Sequence, residues 1–579
     1  MHNRVIAQRF ALIADMLEVK GESIFRINAY RRAARAMEAL TEDVAAVAER
    51  GALTEIPGIG TATADKIEEF LKTGTMKAYE ELAASLPPGL TTLMSVPEIG
   101  PKTALLLYEQ LRITSVDELE AAAAAGRIRD LPRMGAKTEA NILKGIAMLR
   151  RTGARRPLGV VLPVADALVA RLRDVRGVKE ISIAGSLRRM KETVGDIDVL
   201  VTSRKPDAVM DAFVGAPQVE QVLARGPTRS SVVLDVGLQA DLRVVEPAAF
   251  GAALQYFTGS KEHNVALRER AIRAGLKLNE YGVWRTADGT RVAGRTEQEV
   301  YKAVGVPWIP PELREDQGEI DAALAGTLPT LIKLTDIRGD LHVHTRWSDG
   351  SETAEGMARA GRALGYEYIC ITDHSQSLKM AGGVTVPELR AHITEVRRLG
   401  DRAGLVVLIG AECDILADGS LDYPDELLAD LDVVIIAVHT RFKMTRDAMT
   451  RRIIKAMESE HADILGHPTG RLLGQRDPYE IDIEAIVDAA AKTGTALEIN
   501  GAPERLDLKD THAHLAKERG VKLVIGTDAH TGDHFQHMRF GVSVARRGWM
   551  EAKDVLNTLP VAKLLGALGR TTGAPRRRR

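Results

Sequence analysis

The sequence predicts a chain of several domains, with an all-α part first, an α+β part in the middle and an α/β barrel at the C-terminus. The chain has 579 residues, which is too long for a single hydrophobic core. An apolar-Pro-x-x-Gly pattern recurs between helical segments near the N-terminus. Of the 14 histidines, only His2 and His263 precede residue 340. The two halves are therefore expected to carry out different chemistry.

Composition narrows the class of protein. The net charge is −1, with 45% hydrophobic and 27% charged residues, so any surface for nucleic acid must be a local patch. Cys370 and Cys413 lie in separate apolar runs, which predicts neither a disulfide nor a thiolate metal site. No segment is long and apolar enough to cross a bilayer, and the N-terminus lacks a signal-peptide pattern. These features predict a cytoplasmic protein without a membrane partner.

The first 150 residues have apolar residues at helical spacing and contain a loose repeat. Its three copies are "IPGIGTATADKI" (56–67), "VPEIGPKTALLL" (96–107) and "LPRMGAKTEANI" (131–142). The pattern is typical of a helix-hairpin-helix, in which glycines let backbone N–H groups face a phosphate at a helix N-terminus. One copy alone would suggest an ordinary αα-hairpin. Three copies favour contact with the DNA backbone, without readout of its sequence.

The repeat is complete only in its first copy, since Glu98 and Arg133 replace the first hairpin glycine in the other two. The residues predicted to bind DNA are Gly58, Gly60, Gly100, Lys102, Gly135 and Lys137.

After a basic hinge at 150–159, strand patterns begin, and the segment "GSLRRMKETVGDIDVLV" (185–201) stands out. Asp196 and Asp198 alternate with apolar residues on one strand, so both carboxylates share a face. Asp241 follows on the polar face of a predicted hairpin at 231–246. Two aspartates alone would indicate a solvated strand face. Three carboxylates on adjacent strands, preceded by Gly-Ser-x-Arg-Arg, predict a site for two Mg²⁺ or Mn²⁺ ions.

The "GSLRR" segment itself predicts a phosphate site. Gly185 and Ser186 end a strand, where backbone amides can cradle a phosphate. Arg188 and Arg189 supply planar donors for triphosphate oxygens.

This arrangement resembles the nucleotidyltransferases, specifically the family X DNA polymerases. The segments "YFTGSKEHN" (256–264) and "LNEY" (278–281) strengthen the resemblance, which covers roughly residues 1–315. It implies an α+β palm and thumb, a deoxynucleoside triphosphate and DNA as substrates, and the three aspartates as catalytic metal ligands. It implies nucleotide binding by Gly185, Ser186, Arg189, Tyr256, Phe257, Gly259, Asn264 and Arg268.

Within that set, the resemblance places Tyr256 and Phe257 against the sugar, Asn264 at the base and Arg268 at the template strand. Met190 stands where a glycine is common in the family.

Some family members also carry a 5′-deoxyribose phosphate lyase in the first helical domain, and Lys66 matches its Schiff-base lysine. Ala62 stands where that pattern has a lysine. Lys66 can equally be a phosphate-contacting or solvated helix lysine, so lyase activity is not predicted.

From residue 337 the sequence alternates between strand and helix patterns, which predicts seven βα units in a distorted, TIM-like barrel. The predicted strands are 337–344, 366–372, 405–412, 432–439, 462–467, 495–500 and 522–528. Metal-ligand residues end six of the seven, where the strands meet one rim. They are His342, His344, Asp349, His374, Glu412, His439, His467, Asp528 and His530.

The spacing in "GDLHVHTRWSDG" alone would equally suit surface histidines on an edge strand, but the other strand ends favour a metal site. Ligands without cysteine suit Mn²⁺, Zn²⁺ or Fe²⁺. Nine ligands exceed the need of one ion, so two or three ions are expected, with hydrolysis of a phosphate ester as the reaction. The remaining histidines lack the motif and are expected not to be ligands: His392, His461, His512, His514, His534 and His537.

This half resembles the polymerase and histidinol phosphatase (PHP) domain, and all nine ligand positions of that family are filled. The resemblance implies a retained catalytic site. Arg441 and Lys443 follow a ligand strand and fit either a substrate-phosphate contact or solvated surface. Asn500 ends the strand without a ligand.

The whole chain therefore resembles the bacterial and archaeal family X DNA polymerases with a C-terminal PHP domain. This implies a monomer that fills short gaps in DNA repair and trims 3′ ends as a 3′→5′ exonuclease; 3′-phosphatase and abasic endonuclease activities stay open. The expected domains are 1–85 (helical, DNA-binding), 86–152 (helical, fingers-like), 153–250 (palm), 251–316 (thumb), 317–336 (linker), 337–570 (PHP) and 571–579 (basic tail).

Two other functions fit parts of the pattern. One is a phosphoesterase of DNA ends whose polymerase half serves mainly as a DNA-binding module; the intact aspartates and Arg189 argue against it. The other is a DNA-gap binder without catalysis, which the nine filled ligand positions argue against.

Overall fold

A computed structural model describes residues 2–39, 44–56, 58–87, 89–94, 96, 99–132, 134–153 and 155–569. The chain divides into two compact units, Met1–Gly153 and Ala154–Arg579. The predicted basic tail, Glu98 and Arg133 lie outside the described residues. Within those residues, none of the helices combines the length and apolar character needed to cross a bilayer.

The first unit is entirely helical in its described residues, as predicted. Its helices are α1 (His2–Val19), α2 (Ile24–Ala39), α3 (Val44–Glu49), α4 (Thr61–Thr73), α5 (Lys77–Ala84), α6 (Leu90–Leu93), α7 (Pro101–Leu111), α8 (Val116–Ala124) and α9 (Ala136–Gly153). They form two apolar cores, one around α1 and α2 and the other around α7 to α9.

In each copy of the repeat a helix begins directly after the second hairpin position, at Thr61, Pro101 and Ala136, which confirms the helix-hairpin-helix prediction. Gly60 and Gly100 are the N-cap residues of α4 and α7, and α9 begins directly after Gly135. Gly58 has a φ of 97°, a conformation that favours glycine in the hairpin turn.

The second unit opens with a five-stranded sheet whose strand order is β2-β4-β7-β6-β5. Its elements are β1 (Arg156–Pro157), α10 (Leu158–Arg173), β2 (Val178–Ile183), α11 (Gly185–Arg188), β3 (Thr193–Val194), β4 (Asp196–Ser203), α12 (Pro206–Val214), β5 (Val219–Arg225), β6 (Arg229–Leu234) and β7 (Gln239–Val244). The hairpin predicted at 231–246 is β6 and β7. Strands β4 and β7 run parallel, unlike the other pairs, and this brings two of the predicted aspartates abreast.

A smaller α+β segment follows the sheet. Its elements are α13 (Phe250–Thr258), α14 (Lys261–Arg273), β8 (Leu276–Asn279), β9 (Gly282–Arg285), β10 (Arg291–Ala293), α15 (Glu297–Ala303) and α16 (Glu319–Ala325). Glu297 is buried here between Arg188 and Arg314, with Nη–Oε distances of 2.8 and 2.6 Å. The buried pair with Arg188 ties this segment to α11, whereas Arg314 belongs to the segment itself.

The C-terminal part contains seven parallel strands in sequential order. They are β11 (Gly339–Val343), β12 (Tyr368–Ile371), β13 (Val406–Asp414), β14 (Val433–Ala437), β15 (Ile464–Leu465), β16 (Ala496–Asn500) and β17 (Leu523–Gly526). Its helices are α17 (Ala354–Ala363), α18 (Val386–Leu399), α19 (Asp425–Ala429), α20 (Arg446–Met457), α21 (Ile483–Thr493), α22 (Asp510–Glu518), α23 (Met538–Arg547) and α24 (Val561–Ala567).

The sheet closes because its first strand pairs with the chain just after its last. The His344 amide donates to the Ala529 carbonyl at 2.8 Å, and the Ala529 amide donates to the His342 carbonyl at 3.1 Å. The predicted barrel is therefore confirmed, with each of its seven predicted strands present. Apolar strands are expected here, because helices cover the outer face of a parallel barrel.

Palm and barrel share one continuous apolar cluster. A Cβ atom at Gly159 would lie 2.1 Å from the Cβ of Pro503, so only glycine allows this close approach. The two parts of the second unit are thus packed directly together.

Two candidate metal centres

The barrel brings all nine predicted ligands together at the carboxyl ends of its strands, around Glu412. This carboxylate is 1% exposed, and it lies 2.7 Å from His467 Nε2, 2.9 Å from His374 Nδ1 and 3.2 Å from His439 Nε2. Glu412 thus touches the side chains from three other strand ends.

The remaining ligands form the opposite side of the cluster. His344 Nε2 lies 3.1 Å from Asp528 Oδ1, and His530 Nε2 lies 3.2 Å from Asp349 Oδ1. His342 Nε2 lies 3.4 Å from Glu412 Oε2, which connects the two sides.

Among the described residues, three overlapping groups have ligand atoms within 4.8 Å of one another. They are His344-Asp349-His374-His530, His342-His344-Asp528 and His374-Glu412-His439. His467 joins the third group through Glu412. The grouping suits two or three ions, with His344, His374 and Glu412 placed to serve more than one.

Several ligand atoms are buried and make no well-aligned hydrogen bond among the described residues, despite the short contacts between ligands given above. They include His342 Nε2, both ring nitrogens of His344, His374 Nδ1 and Glu412 Oε2. Burying polar atoms without hydrogen bonds is costly, whereas bound cations would satisfy them. The donor set, imidazole and carboxylate without thiolate, fits Mn²⁺, Zn²⁺ or Fe²⁺.

Two buried carboxylates orient these imidazoles. Glu498 lies 2.6 Å from His342 Nδ1 and accepts the His467 backbone N–H at 2.7 Å. Asp414 lies 2.5 Å from His439 Nδ1. A carboxylate on the far ring nitrogen leaves Nε2 free to bind metal. Neither residue was predicted, although a glutamate inside the apolar strand "ALEIN" is a signal that could have been used.

The charges in the cluster are strongly coupled. Burial alone would raise the pKa of Glu412, but the charges of His374, His439 and His342 hold it well below its usual range. Burial alone would lower the pKa of His374, but Glu412 and Asp349 raise it to about 10. His342, His439 and His530 also have raised pKa values, whereas burial lowers the pKa values of His344 and His467. Bound cations would replace the protons on the raised imidazoles.

One arginine beside the cluster was not suggested by the sequence. Arg505 Nε lies 3.2 Å from Asp528 Oδ2. Arg441 and Lys443, considered as phosphate contacts, are exposed. Asn500 lies at the rim, where its amide donates to Asp528 Oδ2 at 3.1 Å.

The histidines predicted not to be ligands stand outside the three metal-binding groups of the described residues. His392 Nε2 lies 3.0 Å from Asp373, and the rings of His534 and His537 stack with centroids 4.7 Å apart.

The second centre lies on the palm sheet. Asp198 and Asp241 are direct partners in the parallel β4–β7 pair, and Asp196 lies two residues earlier on the same face. Burial, followed by the charges of Asp196 and Asp241, raises the pKa of Asp198 to about 6. Asp241 accepts hydrogen bonds from Gln239 at 3.2 Å and Arg229 at 3.3 Å. Clustered carboxylates of this kind suit hard divalent cations such as Mg²⁺ or Mn²⁺.

A pocket of about 490 Å³ opens beside these aspartates. Seven of the predicted nucleotide-binding residues line it, namely Ser186, Arg189, Tyr256, Phe257, Gly259, Asn264 and Arg268. Arg155, Ser260 and Lys261 line it too and were not predicted. Gly185 is buried and does not line the pocket. It has a φ of 67°, and a Cβ atom at this position would lie 3.1 Å from Asp198 Oδ2. Met190, at the family's glycine position, has a φ of 55°.

In the helical unit, Lys66 lies on α4 and its Nζ donates to the Ala62 carbonyl at 2.9 Å. Lys102 Nζ lies 3.6 Å from Glu18. Gly100 and Lys102 stand at the start of α7, and Gly135 and Lys137 at the start of α9, where backbone N–H groups can meet a phosphate.

Comparison with known proteins identifies four segments of the chain. Family profiles match residues 1–76 (helix-hairpin-helix domain), 90–147 (SAM-like helix-hairpin-helix tandem), 253–315 (DNA polymerase beta thumb) and 340–502 (PHP domain). The chain is 38% identical over 560 residues to the DNA polymerase/3′-5′ exonuclease PolX of Bacillus subtilis, covering 96% of this chain and 97% of that protein.

Two further relatives match only part of this chain. A probable phosphatase of Thermoanaerobacter sp. is 31% identical over 231 residues, which are 38% of this chain and 89% of that protein. DNA polymerase lambda of Rattus norvegicus is 26% identical over 344 residues, 54% of this chain and 56% of that protein.

Proposed function

The chain belongs to the family X DNA polymerases that carry a C-terminal PHP domain, the family of the Bacillus subtilis enzyme, and on that premise we propose which residues perform its two reactions. It is a DNA polymerase that fills short gaps in DNA repair and a metal-dependent 3′→5′ exonuclease. The proposal rests on one observation: each half gathers its own set of ion-binding side chains.

In the palm, Asp196, Asp198 and Asp241 hold two Mg²⁺ or Mn²⁺ ions and are the catalytic residues. Gly185, Ser186 and Arg189 bind the triphosphate, with Arg155 and Lys261 adding positive charge to the pocket. Tyr256 and Phe257 lie against the sugar, Gly259 lets the backbone approach, and Asn264 and Arg268 contact base and template. These residues align the incoming nucleotide with the primer 3′-OH, which lowers the entropic part of the barrier.

In the barrel, the nine ligands hold two or three ions of Mn²⁺, Zn²⁺ or Fe²⁺. Bound divalent ions at either centre supply an activated oxygen nucleophile and neutralise phosphate charge. Glu498 and Asp414 fix the rings of His342 and His439 by accepting hydrogen bonds from their Nδ1–H groups. Arg505 adds a positive charge beside Asp528, suited to a phosphodiester oxygen.

The helical domains grip DNA through backbone N–H groups at Gly58, Gly60, Gly100 and Gly135, with Lys102 and Lys137 beside them. Lys66 is assigned to this surface as a phosphate contact. We further propose that the protein acts as a monomer with the domain boundaries given by the sequence. Two active sites on one chain allow a 3′ end to be trimmed and then extended.

The test is a pair of single-site variants assayed with Mn²⁺. Asp198→Ala is expected to abolish filling of a one-nucleotide gap and to leave degradation of a labelled 3′ end within about twofold. His344→Ala is expected to do the reverse. Each lost ligand should cost about 10³-fold or more, because several ion-binding groups act together.

Two surface variants serve as matched controls. Asp207 is 80% exposed on the palm and His514 lies on barrel helix α22, outside the metal-binding groups. Asp207→Ala and His514→Ala should leave both activities intact. Survival of both activities in both test variants contradicts the site assignment.

A further inference from the structure

One barrel side chain reaches into the polymerase half at the nucleotide pocket. Arg547 ends helix α23 and is 6% exposed. Its Nη1 donates to the Arg189 carbonyl at 2.8 Å and lies 2.9 Å from Glu315 Oε1. Its other edge is held within the barrel, since Nε donates to Asp510 Oδ2 at 2.8 Å.

Glu315 is shared between the two halves. The oxygen that contacts Arg547 also accepts from Arg189 Nε at 3.0 Å, and Lys191 Nζ lies 3.8 Å away. Burial alone would raise the pKa of Glu315, but Arg189, Arg547 and Lys191 lower it, so the carboxylate is ionised. Arg189 is therefore held at its side chain by Glu315 and at its backbone by Arg547.

Arg189 also lines the nucleotide pocket, as described above. Its guanidinium is 12% exposed, and a second contact runs from Nη1 to the Thr258 carbonyl. An arginine that must meet a triphosphate is most effective when its planar fork is already oriented.

We propose that Arg547 of the barrel is a positioning residue for nucleotide binding, acting on Arg189 through Glu315 and through the Arg189 carbonyl. The barrel is thereby part of the structure that sets affinity for the incoming deoxynucleoside triphosphate, in addition to being the nuclease. The inference rests on the proposed role of Arg189. Removing Arg547 leaves Glu315 with one cation fewer and leaves the backbone of Arg189 without its donor.

The experiment measures single-nucleotide incorporation into a gapped duplex by the full chain, giving the apparent Kd for the nucleotide and the maximal rate separately. Arg547→Ala is expected to raise the Kd about three- to tenfold, the cost of immobilising one flexible side chain on binding. The maximal rate should change less than twofold. Arg547→Lys should recover part of the affinity.

The decisive comparison is the double variant Arg189→Ala/Arg547→Ala. If Arg547 acts through Arg189, the double variant has the Kd of Arg189→Ala alone, because the second change has nothing left to disturb. The inference is overturned if the rise in Kd of the double variant is the product of the rises in the two single variants. It is also overturned if the Kd of Arg547→Ala is unchanged. An unchanged Kd in Arg189→Ala instead overturns the proposed role of Arg189 itself.

The neighbouring residue provides a matched control. Arg546, on the same helix, donates to Glu312 and to the Ile332 carbonyl, both at 2.8 Å. Arg546→Ala removes a comparable contact of α23 without touching Arg189, and should leave the nucleotide Kd unchanged. A Kd raised as much as in Arg547→Ala would show general loosening and overturn the inference.

Exonuclease activity reports whether the barrel is folded in each variant. If Arg547→Ala loses exonuclease activity, the nucleotide Kd of Glu315→Gln is measured instead, because this change disrupts the Arg547–Glu315 contact from the polymerase side. A raised Kd with exonuclease intact supports the inference, and an unchanged Kd overturns it.

Discussion

In the barrel, His342 and His344 are fully buried and Glu412 is 1% exposed, whereas in the palm Asp196 is exposed and Asp241 keeps 13% of its side chain accessible. The barrel ligands come from the beginning, middle and end of the domain's sequence, and they contact one another at one rim. The palm offers three carboxylates on two strands, beside a pocket.

The barrel centre therefore offers mostly protein groups to its ions, whereas the palm centre needs substrate oxygens to complete the coordination of its ions. Three carboxylates leave coordination positions for triphosphate and primer oxygens, so ions there are expected to come and go with the nucleotide. Nine ligands, most of them buried, are expected to retain their ions between reactions.

Metal removal should produce the largest effect and expose this difference. Treatment with a chelator is expected to abolish both activities. After the chelator is washed out, added Mg²⁺ should restore gap filling at once. Exonuclease activity should return slowly, because most of the barrel ligands are buried, and only with Mn²⁺, Zn²⁺ or Fe²⁺, because many of those ligands are imidazoles. The measurement is the time course of both activities, with untreated protein carried through the same steps. Equal recovery of the two would contradict the distinction.

A smaller effect is expected from the carboxylate behind His342. Glu498→Gln keeps the shape of the side chain but loses the charge that orients the imidazole. We expect the barrel's affinity for metal to fall about 10- to 100-fold. Polymerase activity should be unchanged.

The readout is bound metal per chain after dialysis, together with exonuclease rate. Glu484→Gln, at an exposed glutamate on α21, is the matched control. Full metal retention in Glu498→Gln would show that metal binding does not depend on the charged hydrogen-bond partner of His342.

The smallest effect at neutral pH concerns the stability of the polymerase half. Burial alone would raise the pKa of Glu297, but hydrogen bonds from Arg188 and the charge of Arg314 lower it from 4.5 to about 2. Its ionised form therefore stabilises the fold by roughly 3 kcal/mol above pH 4.5, and this contribution declines as the pH falls from 4.5 towards 2.

The measurement is the unfolding free energy of the wild type and Glu297→Gln. Their difference should be greatest at neutral pH and should shrink by more than half between pH 5 and pH 3. The barrel's exonuclease gives a control at neutral pH and should be unaffected. If the difference in unfolding free energy stays constant between pH 5 and pH 3, the effect comes from side-chain packing and not from the charge of Glu297.

The sequence predicted the barrel and the meeting of the candidate ligands at one rim, because most of these residues follow apolar runs and parallel strands bring the ends of those runs together. It did not predict Glu498, because strand alternation does not tell which side of a closed sheet is enclosed. It also missed Arg505 and Arg547. The contact between Arg547 and Arg189 joins residues 358 positions apart and depends on how α23 packs on the palm, for which no local pattern exists.

The seam that closes the barrel has a consequence for the protein during its synthesis. Asp340 and Thr527, 187 residues apart, are hydrogen-bonded across this seam, and the ligands His342 and Asp528 flank it. Until the ribosome has released the last strand, the nascent chain lacks Asp528 and His530, two of the nine candidate ligands. We therefore expect a partly made chain to lack nuclease activity, because the seam that closes the barrel has not yet formed.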